Sequence, residues 1–314
     1  MAPRIVCVVG PTACGKTKMG VLLAKAFHGE VVSADSMQIY RGLTIGTAAP
    51  TPEEMEGVPH HMVAVADVTE SWSAGRYVQE AVPVVDDILR RGKVPIVVGG
   101  TGLWVDALVR GHGFAPGAAG GAVRQELQQR LHREGIGPLL EELRTVDPDA
   151  AARLHPRDEK RILRALEVYR ETGVTITAHN AAEAALPNRY DPVWIGLAFA
   201  DRADMRDLID RRVDAMVDAG LLDEVDWLLS QNLPPSATAL QAIGYKEFAA
   251  VRTGGATVAQ AVEEVKLRSR QYAKRQLTWL RRNRDIHWIL WEKERDFARA
   301  LQISTKILSD AGVC

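Results

Sequence analysis

Residues 10–17 read Gly-Pro-Thr-Ala-Cys-Gly-Lys-Thr, the spacing G-x-x-x-x-G-K-[ST] of a phosphate-binding loop. A turn of this kind aims the main-chain N–H groups of residues 12–17 into one concavity, which favours a di- or triphosphate. Lys16 adds a point charge, and the Thr17 hydroxyl can ligate a Mg²⁺ bridging phosphate oxygens. Gly10, Pro11, Thr12, Ala13, Cys14, Gly15, Lys16 and Thr17 are therefore the expected residues for binding a di- or triphosphate. The bland alternative is a chance glycine turn, and the flanks speak against it. Ile5-Val6-Cys7-Val8-Val9 is a branched apolar run suited to a buried strand, and Met19, Leu22, Leu23 and Ala26 follow near helical spacing. Kinases, GTPases and transferases with a diphosphate leaving group all remain compatible with the loop alone.

Two further polar groups are expected beside it. Glu30-Val31-Val32-Ser33-Ala34-Asp35 reads as a second short strand ending in Asp35-Ser36-Met37-Gln38-Ile39-Tyr40. Ligands of open α/β sheets bind beyond the carboxyl ends of strands, so Asp35 and Gln38 should face the crevice of the phosphate loop. Asp35 there is a general base, a Mg²⁺ partner or a simple helix cap. Val94-Pro95-Ile96-Val97-Val98 is another buried strand, running into Gly99-Gly100-Thr101-Gly102. Its glycines allow close backbone approach, and Thr101 offers a hydroxyl. No acid ends this strand, which weakens an ordinary NTPase reading.

The elements around these groups set an α/β frame. With 314 residues, 46% hydrophobic and 25% charged, the chain suits one large domain or two modest ones. It has no run of 18 apolar residues, so no membrane span is expected. Its first strand begins almost at Met1, and Cys7, Cys14 and Cys314 show no pairing pattern; a cytoplasmic location is expected. Gly111 to Gly121 reads as a hinge-like linker. Helical patterns follow over 123–134, 139–146 and 158–171, before strand character returns at Pro192 to Phe199. The helices thus read as an insertion between sheet strands. Pro59-His60-His61 makes a poor metal pair, because adjacent residues point to different faces.

The net charge of −1 hides an asymmetry: Lys266 to Arg284 holds eight basic residues and no acidic one, leaving 31 basic against 40 acidic residues elsewhere. Tyr272 and Trp279 lie among them, as in a groove that tracks a polyanionic backbone. A solvated helix face is the plainer reading of the same run. The Arg211-Arg212 pair either reaches a diphosphate or is surface.

These segments, in this order, resemble the tRNA dimethylallyltransferases. The resemblance spans GPTACGKT at 10–17, SADSMQIY at 33–40, GTAAP at 46–50, PHH at 59–61, VVGGTGLW at 97–104, LHPRDEKRILRALEVYRETG at 154–173, QAIGYKE at 241–247 and YAKRQLTWLR at 272–281. It departs from the family at Trp104 (usually tyrosine), Ala49 (often lysine) and Met62 (usually leucine), and since none of these 314 residues reads as the appended zinc finger of eukaryotic members, the bacterial type is expected. The resemblance implies a P-loop NTPase-like core with a parallel sheet flanked by helices over 1–114 and 190–314, and a helical insertion domain over 115–189. It implies transfer of the dimethylallyl group of dimethylallyl diphosphate to N6 of the adenine 3′ to the tRNA anticodon, with Mg²⁺ as cofactor. Asp35, Thr101 and Lys16 would be catalytic. The tRNA would meet Asp35, Ser36, Met37, Gln38 and Thr101, and in the insertion Arg124, Glu159, Lys160, Arg161, Ile162 and Leu163. Lys274 and Arg275 would join them, with the separate roles of Arg211, Arg270 and Arg275 open. A monomer is expected, since no coiled-coil seam is visible. The rivals are a small-molecule kinase, a transferase acting on free adenylate, and a non-catalytic RNA-binding switch.

Overall fold

Short runs of valine and isoleucine make the strands, and alternate side chains of each run enter opposite layers of core. The computed structural model describes residues 2–111, 114 and 121–313. The chain forms two compact units, Met1–Gly111 with Arg189–Cys314, and His112–Asn188. The stretch expected as a linker, with the boundary expected at 114, falls mostly outside the described residues, as does Cys314.

The larger unit begins with β1 (Arg4–Val9), α1 (Lys16–Ala26), β2 (Gly29–Ser33), the single turn α2 (Pro52–Met55), the two-residue β3 (His60–His61), α3 (Ala74–Arg90), β4 (Val94–Gly99) and α4 (Gly102–Arg110). The smaller unit is α5 (Ala122–Glu134), α6 (Ile136–Val146), α7 (Pro148–Arg153), α8 (Glu159–Thr172) and α9 (Ile176–Ala185). The larger unit resumes with β5 (Asp191–Phe199), α10 (Arg202–Asp218), α11 (Leu221–Ser230), α12 (Tyr245–Arg252), α13 (Val258–Leu280), β6 (His287–Trp291) and α14 (Phe297–Asp310). The last strand and helix lie beyond the segments read from sequence.

The six strands pair in parallel in the order β3-β2-β4-β1-β5-β6. Ile5, Cys7, Val9, Val32 and Val97 enter one layer of core, and Val6, Val8, Ile96, Val98 and Ile195 the other, the two-residue period of a sheet covered on both faces. β1 is central, with Val9 paired to both Gly99 and Gly196. The residues that follow β1, β2 and β4 therefore emerge at one edge of the sheet. At the other end, buried Glu30 accepts bonds of 2.6 and 2.7 Å from Arg91 and 2.7 Å from Lys93, with His61 Nε2 2.8 Å away. Hydrogen bonds from Arg91 first, then Lys93 and His61, hold its carboxyl well below the usual range despite burial. His61 is thus structural, and His60 is anchored by Nδ1 at 2.8 Å from the Val58 carbonyl. Among the described residues no helix is long and apolar enough to cross a membrane.

In the smaller unit, Leu127, Leu139, Leu143, Ile162 and Leu166 share a separate core. Asp147 ties this bundle together, capping α7 through Ala150 and taking the Thr177 N–H and hydroxyl.

Candidate functional site

The phosphate loop joins β1 to α1 through two positions that need a left-handed backbone, Ala13 at φ 65° and Gly15 at φ 88°. Gly10 has a second reason to be glycine: a Cβ there would lie 2.3 Å from the Leu197 carbonyl oxygen. Pro11 offers its carbonyl to both the Lys16 ammonium (2.8 Å) and the Cys14 thiol (2.9 Å). Burial pushes the Cys14 thiol up, so this cysteine is a packing residue and not a nucleophile.

The ends of β2 and β4 bring Asp35 and Thr101 together. The Thr101 hydroxyl accepts the Ser36 N–H at 3.3 Å, and Asp35 Oδ1 accepts the Met37 N–H at 2.9 Å. The cap-like use of Asp35 is therefore real, but it is a turn that engages only Oδ1. Met37 packs against the core. Gln38 is spent on structure: its amide donates to the Thr47 and Ala48 carbonyls at 3.3 and 3.0 Å, and its oxygen accepts from Ser33.

Residues from the far end of the chain complete the site. Gln276, 5% exposed, accepts the Thr12 N–H at 2.8 Å and donates to the Gly100 carbonyl at 3.0 Å, clamping the phosphate loop to the turn after β4. Arg212 Nη1 donates to the Thr12 hydroxyl at 3.3 Å. Burial lowers the Arg212 pKa while the Asp35 charge opposes that shift. Of the adjacent arginines, Arg211 is exposed and folds back on the Asp207 carbonyl of its own helix. Burial first, then the Asp35 charge, push the Tyr272 phenol up to about 12, against hydrogen bonding with Thr101 and Gln276; it is a donor at neutral pH.

Two cavities open here. The larger, about 720 Å³, is lined by Lys16, Thr17, Arg212, Gln276 and Arg295. The smaller, about 300 Å³, has apolar walls from Ile209, Val213, Met216, Leu221, Ile243 and Val265. Both are lined by Thr12, Asp35, Arg212 and Tyr272, and among the described residues Asp35 is the one carboxylate common to the two. No group of three or more His, Cys, Asp or Glu side chains able to hold a metal occurs among the described residues. An ion at Thr17 would share that hydroxyl with substrate oxygens and water, a ligand set that suits Mg²⁺.

A buried carboxylate shapes the cavity wall. Glu224 accepts the N–H groups of Thr44, Ile45 and Gly46 at 2.7, 2.8 and 2.9 Å, the Thr44 hydroxyl at 2.9 Å and the Tyr245 hydroxyl at 2.5 Å. Burial raises its pKa, and these bonds, Gly46 foremost, overcome it, so the net direction is down. Glu224→Gln should cost about 2–3 kcal/mol in denaturant midpoints at neutral pH. A depressed folded pKa gives stability that is present above the unfolded value of about 4.3 and lost as pH falls below it. The gap between wild type and Glu224→Gln should therefore narrow in acid; a constant gap would contradict this role.

The remaining expected residues distribute differently. Ile162 and Leu163 are buried at 0% and 2%, which corrects their assignment to a ligand surface: their side chains hold the smaller unit together. Glu159, Lys160 and Arg161 are exposed at the start of α8, with Arg161 3.1 Å from Asp158. Arg124 lies 3.9 Å from the buried Glu167. Of the eight basic residues, Lys266, Arg268 and Arg270 are ion-paired to Asp214, Glu264 and Asp210. Lys274, Arg275, Arg281, Arg282 and Arg284 have no carboxylate partner within 4.0 Å among the described residues. Trp279 is no open stacking platform, since its indole donates to Asp106 at 2.8 Å and packs on Gly102. Trp104 is likewise internal, stacked on Tyr77 at 4.3 Å, and Ala49 lines the larger cavity.

Sequence periodicity put Tyr272 and Gln276 on one helix face but carried no sign of what faced them. Arg295 had no local signal at all.

A family model described as IPP transferase matches residues 38–283. Over 285 residues the chain is 47% identical to the tRNA dimethylallyltransferase of Symbiobacterium thermophilum, covering 91% of this chain and 88% of that one. It is similar to the solved full-length tRNA isopentenylpyrophosphate transferase of Bacillus halodurans, with a TM-score of 0.72 at 38% identity over 100% and 99% of the two chains. A solved eukaryotic dimethylallyltransferase acting on tRNA matches with a TM-score of 0.84 at 30% identity, over 98% of this chain and 80% of that one.

Proposed function

The chain belongs to the IPP transferase family, and we propose that it transfers the dimethylallyl group of dimethylallyl diphosphate to N6 of the adenine 3′ to the anticodon of tRNA. The observation that carries the reading is the junction of two cavities at Asp35, one lined by the cations of the phosphate loop and one walled by apolar side chains.

The allylic C1–O bond breaks, its electron pair leaves with the diphosphate, and N6 forms the new bond to C1. Charge builds on the diphosphate oxygens, where Lys16, Arg212 and the N–H groups of the phosphate loop can receive it. Mg²⁺ on the Thr17 hydroxyl would supply further charge neutralisation there. N6 must lose a proton, and Asp35 Oδ2, which the turn to Met37 leaves unused, is the acceptor in this account. Thr101 holds the segment that carries Asp35. Tyr272, kept protonated by its burial, can donate a hydrogen bond but does not serve as the base.

An adenine must leave its stack to reach such a cavity. The exposed cations at and after the end of α13 suit the phosphates of a tRNA. Lys274→Ala with Arg275→Ala should raise the tRNA dissociation constant about tenfold near physiological salt and flatten its salt dependence. The turnover at saturating tRNA should change much less, and an equal fall in both would count against the division of roles.

The reading is tested by incubating the protein with Mg²⁺, unmodified tRNA and dimethylallyl diphosphate, then weighing the nucleosides. One dimethylallyl unit gained on adenosine supports it. Unchanged tRNA, with phosphate transferred from ATP to a small acceptor, would overturn it.

A further inference from the structure

We propose that Arg295 is a ligand of the substrate diphosphate, a third side-chain cation beside Lys16 and Arg212; the substrate's identity rests on the function proposed above. Arg295 lies between β6 and α14, C-terminal to the stretch that carries the family pattern. This segment meets the phosphate loop at three successive residues, 13–15. The Trp291 indole donates to the Cys14 carbonyl at 2.8 Å, Arg295 Nη1 to the Ala13 carbonyl at 3.4 Å, and a Cβ on Gly15 would meet the Phe297 ring at 2.7 Å. Trp291 and Phe297 pack at 5.3 Å, and the Arg295 guanidinium lies 5.7 Å from the Phe297 ring centre. The aromatic pair thus packs beside the arginine, and Arg295 lines the larger cavity.

Lys16, Arg212 and Arg295 line that cavity, and none of the three has a carboxylate within 4.0 Å among the described residues. Arg4, Lys18 and Arg270, by contrast, all have such partners. Among the described residues, the only carboxylates lining the cavity are Asp35 and Glu54. Three unpaired cations converging on a concave surface repel one another unless an anion joins them. The 3.4 Å bond to Ala13 is long for a guanidinium, and exchange for charge-assisted bonds to phosphate oxygens would be favourable. A planar fork also suits phosphate geometry.

The test titrates inorganic diphosphate into the full chain by calorimetry, with EDTA present so that only the protein supplies positive charge. Arg295→Ala should weaken binding about tenfold at about 0.05 M salt, and the loss should shrink at about 0.5 M salt. Arg295→Lys should recover part of it. Arg299→Ala removes the same charge from α14 outside the cavity lining, and should stay within about twofold of wild type. The proposal is overturned if the wild type does not bind diphosphate, if Arg295→Ala binds as wild type does, if Arg299→Ala loses as much, or if the loss is independent of salt, which would make Arg295 a brace for Ala13. Neither tRNA nor transfer enters this measurement, so its failure is distinguishable from failure of the transfer assay.

Discussion

Asp35→Asn is expected to lower the turnover of dimethylallyl transfer by about 10²–10⁴-fold while leaving tRNA affinity within about twofold. The substitution isolates the proton. Asparagine keeps an oxygen able to accept the Met37 N–H, which wild type holds at 2.9 Å, so the turn that positions the side chain survives. What goes is a carboxylate able to take the N6 proton as the amine attacks. Among the described residues no second base lines both cavities: Glu54 lines only the larger, and the Tyr272 phenol is pushed up to about 12. Steady-state rates at saturating substrates, with tRNA binding measured separately, distinguish this from a contact role. A parallel loss of tRNA affinity would make Asp35 a recognition residue.

Lys16→Ala should lower kcat/KM for dimethylallyl diphosphate by about 10²–10³-fold. Lys16 begins α1, where unsatisfied N–H groups already favour an anion, and its ammonium rests on the Pro11 carbonyl at 2.8 Å. That neutral contact is readily exchanged for oxygens whose charge grows as the C1–O bond breaks. Arg212 does not replace it, because it reaches the diphosphate from α10 beside Thr12 and leaves the space within the turn without a charge. Lys16→Arg should recover little, since a planar guanidinium does not fit the space of a point charge within the turn. Folding should be little affected, because Lys16 is only partly buried and its one side-chain bond among the described residues is to the Pro11 carbonyl. Kinetics beside a thermal midpoint check both halves; a variant that folds and turns over normally would remove the loop from the chemistry.

The parts of this site that were legible in the sequence are local ones. Gly10 to Thr17 declares itself because one short turn needs glycine, lysine and threonine at fixed spacing, and Asp35 and Thr101 follow from strand ends that a parallel sheet must gather at one edge. The rest depends on partners far along the chain. Gln276 meets Thr12 across 264 positions, and helical periodicity says only that it faces inward. Arg211 and Arg212 are indistinguishable as a pair until α10 packs and turns just one toward Thr12. Glu224 reads as one more helix acid, yet five hydrogen bonds from residues 44–46 and Tyr245 make it the anchor of a cavity wall. Ile162 and Leu163 show the converse error: a motif segment extended onto side chains that the bundle core had already claimed.

The most direct test is a single-turnover measurement with tRNA and dimethylallyl diphosphate both bound, following diphosphate release and prenylated adenosine in the same quenched samples. Wild type should release one diphosphate per modified adenosine at equal rates, and Asp35→Asn should slow both together. Diphosphate released at the wild-type rate by Asp35→Asn without modified adenosine, or orthophosphate in place of diphosphate, would contradict this mechanism.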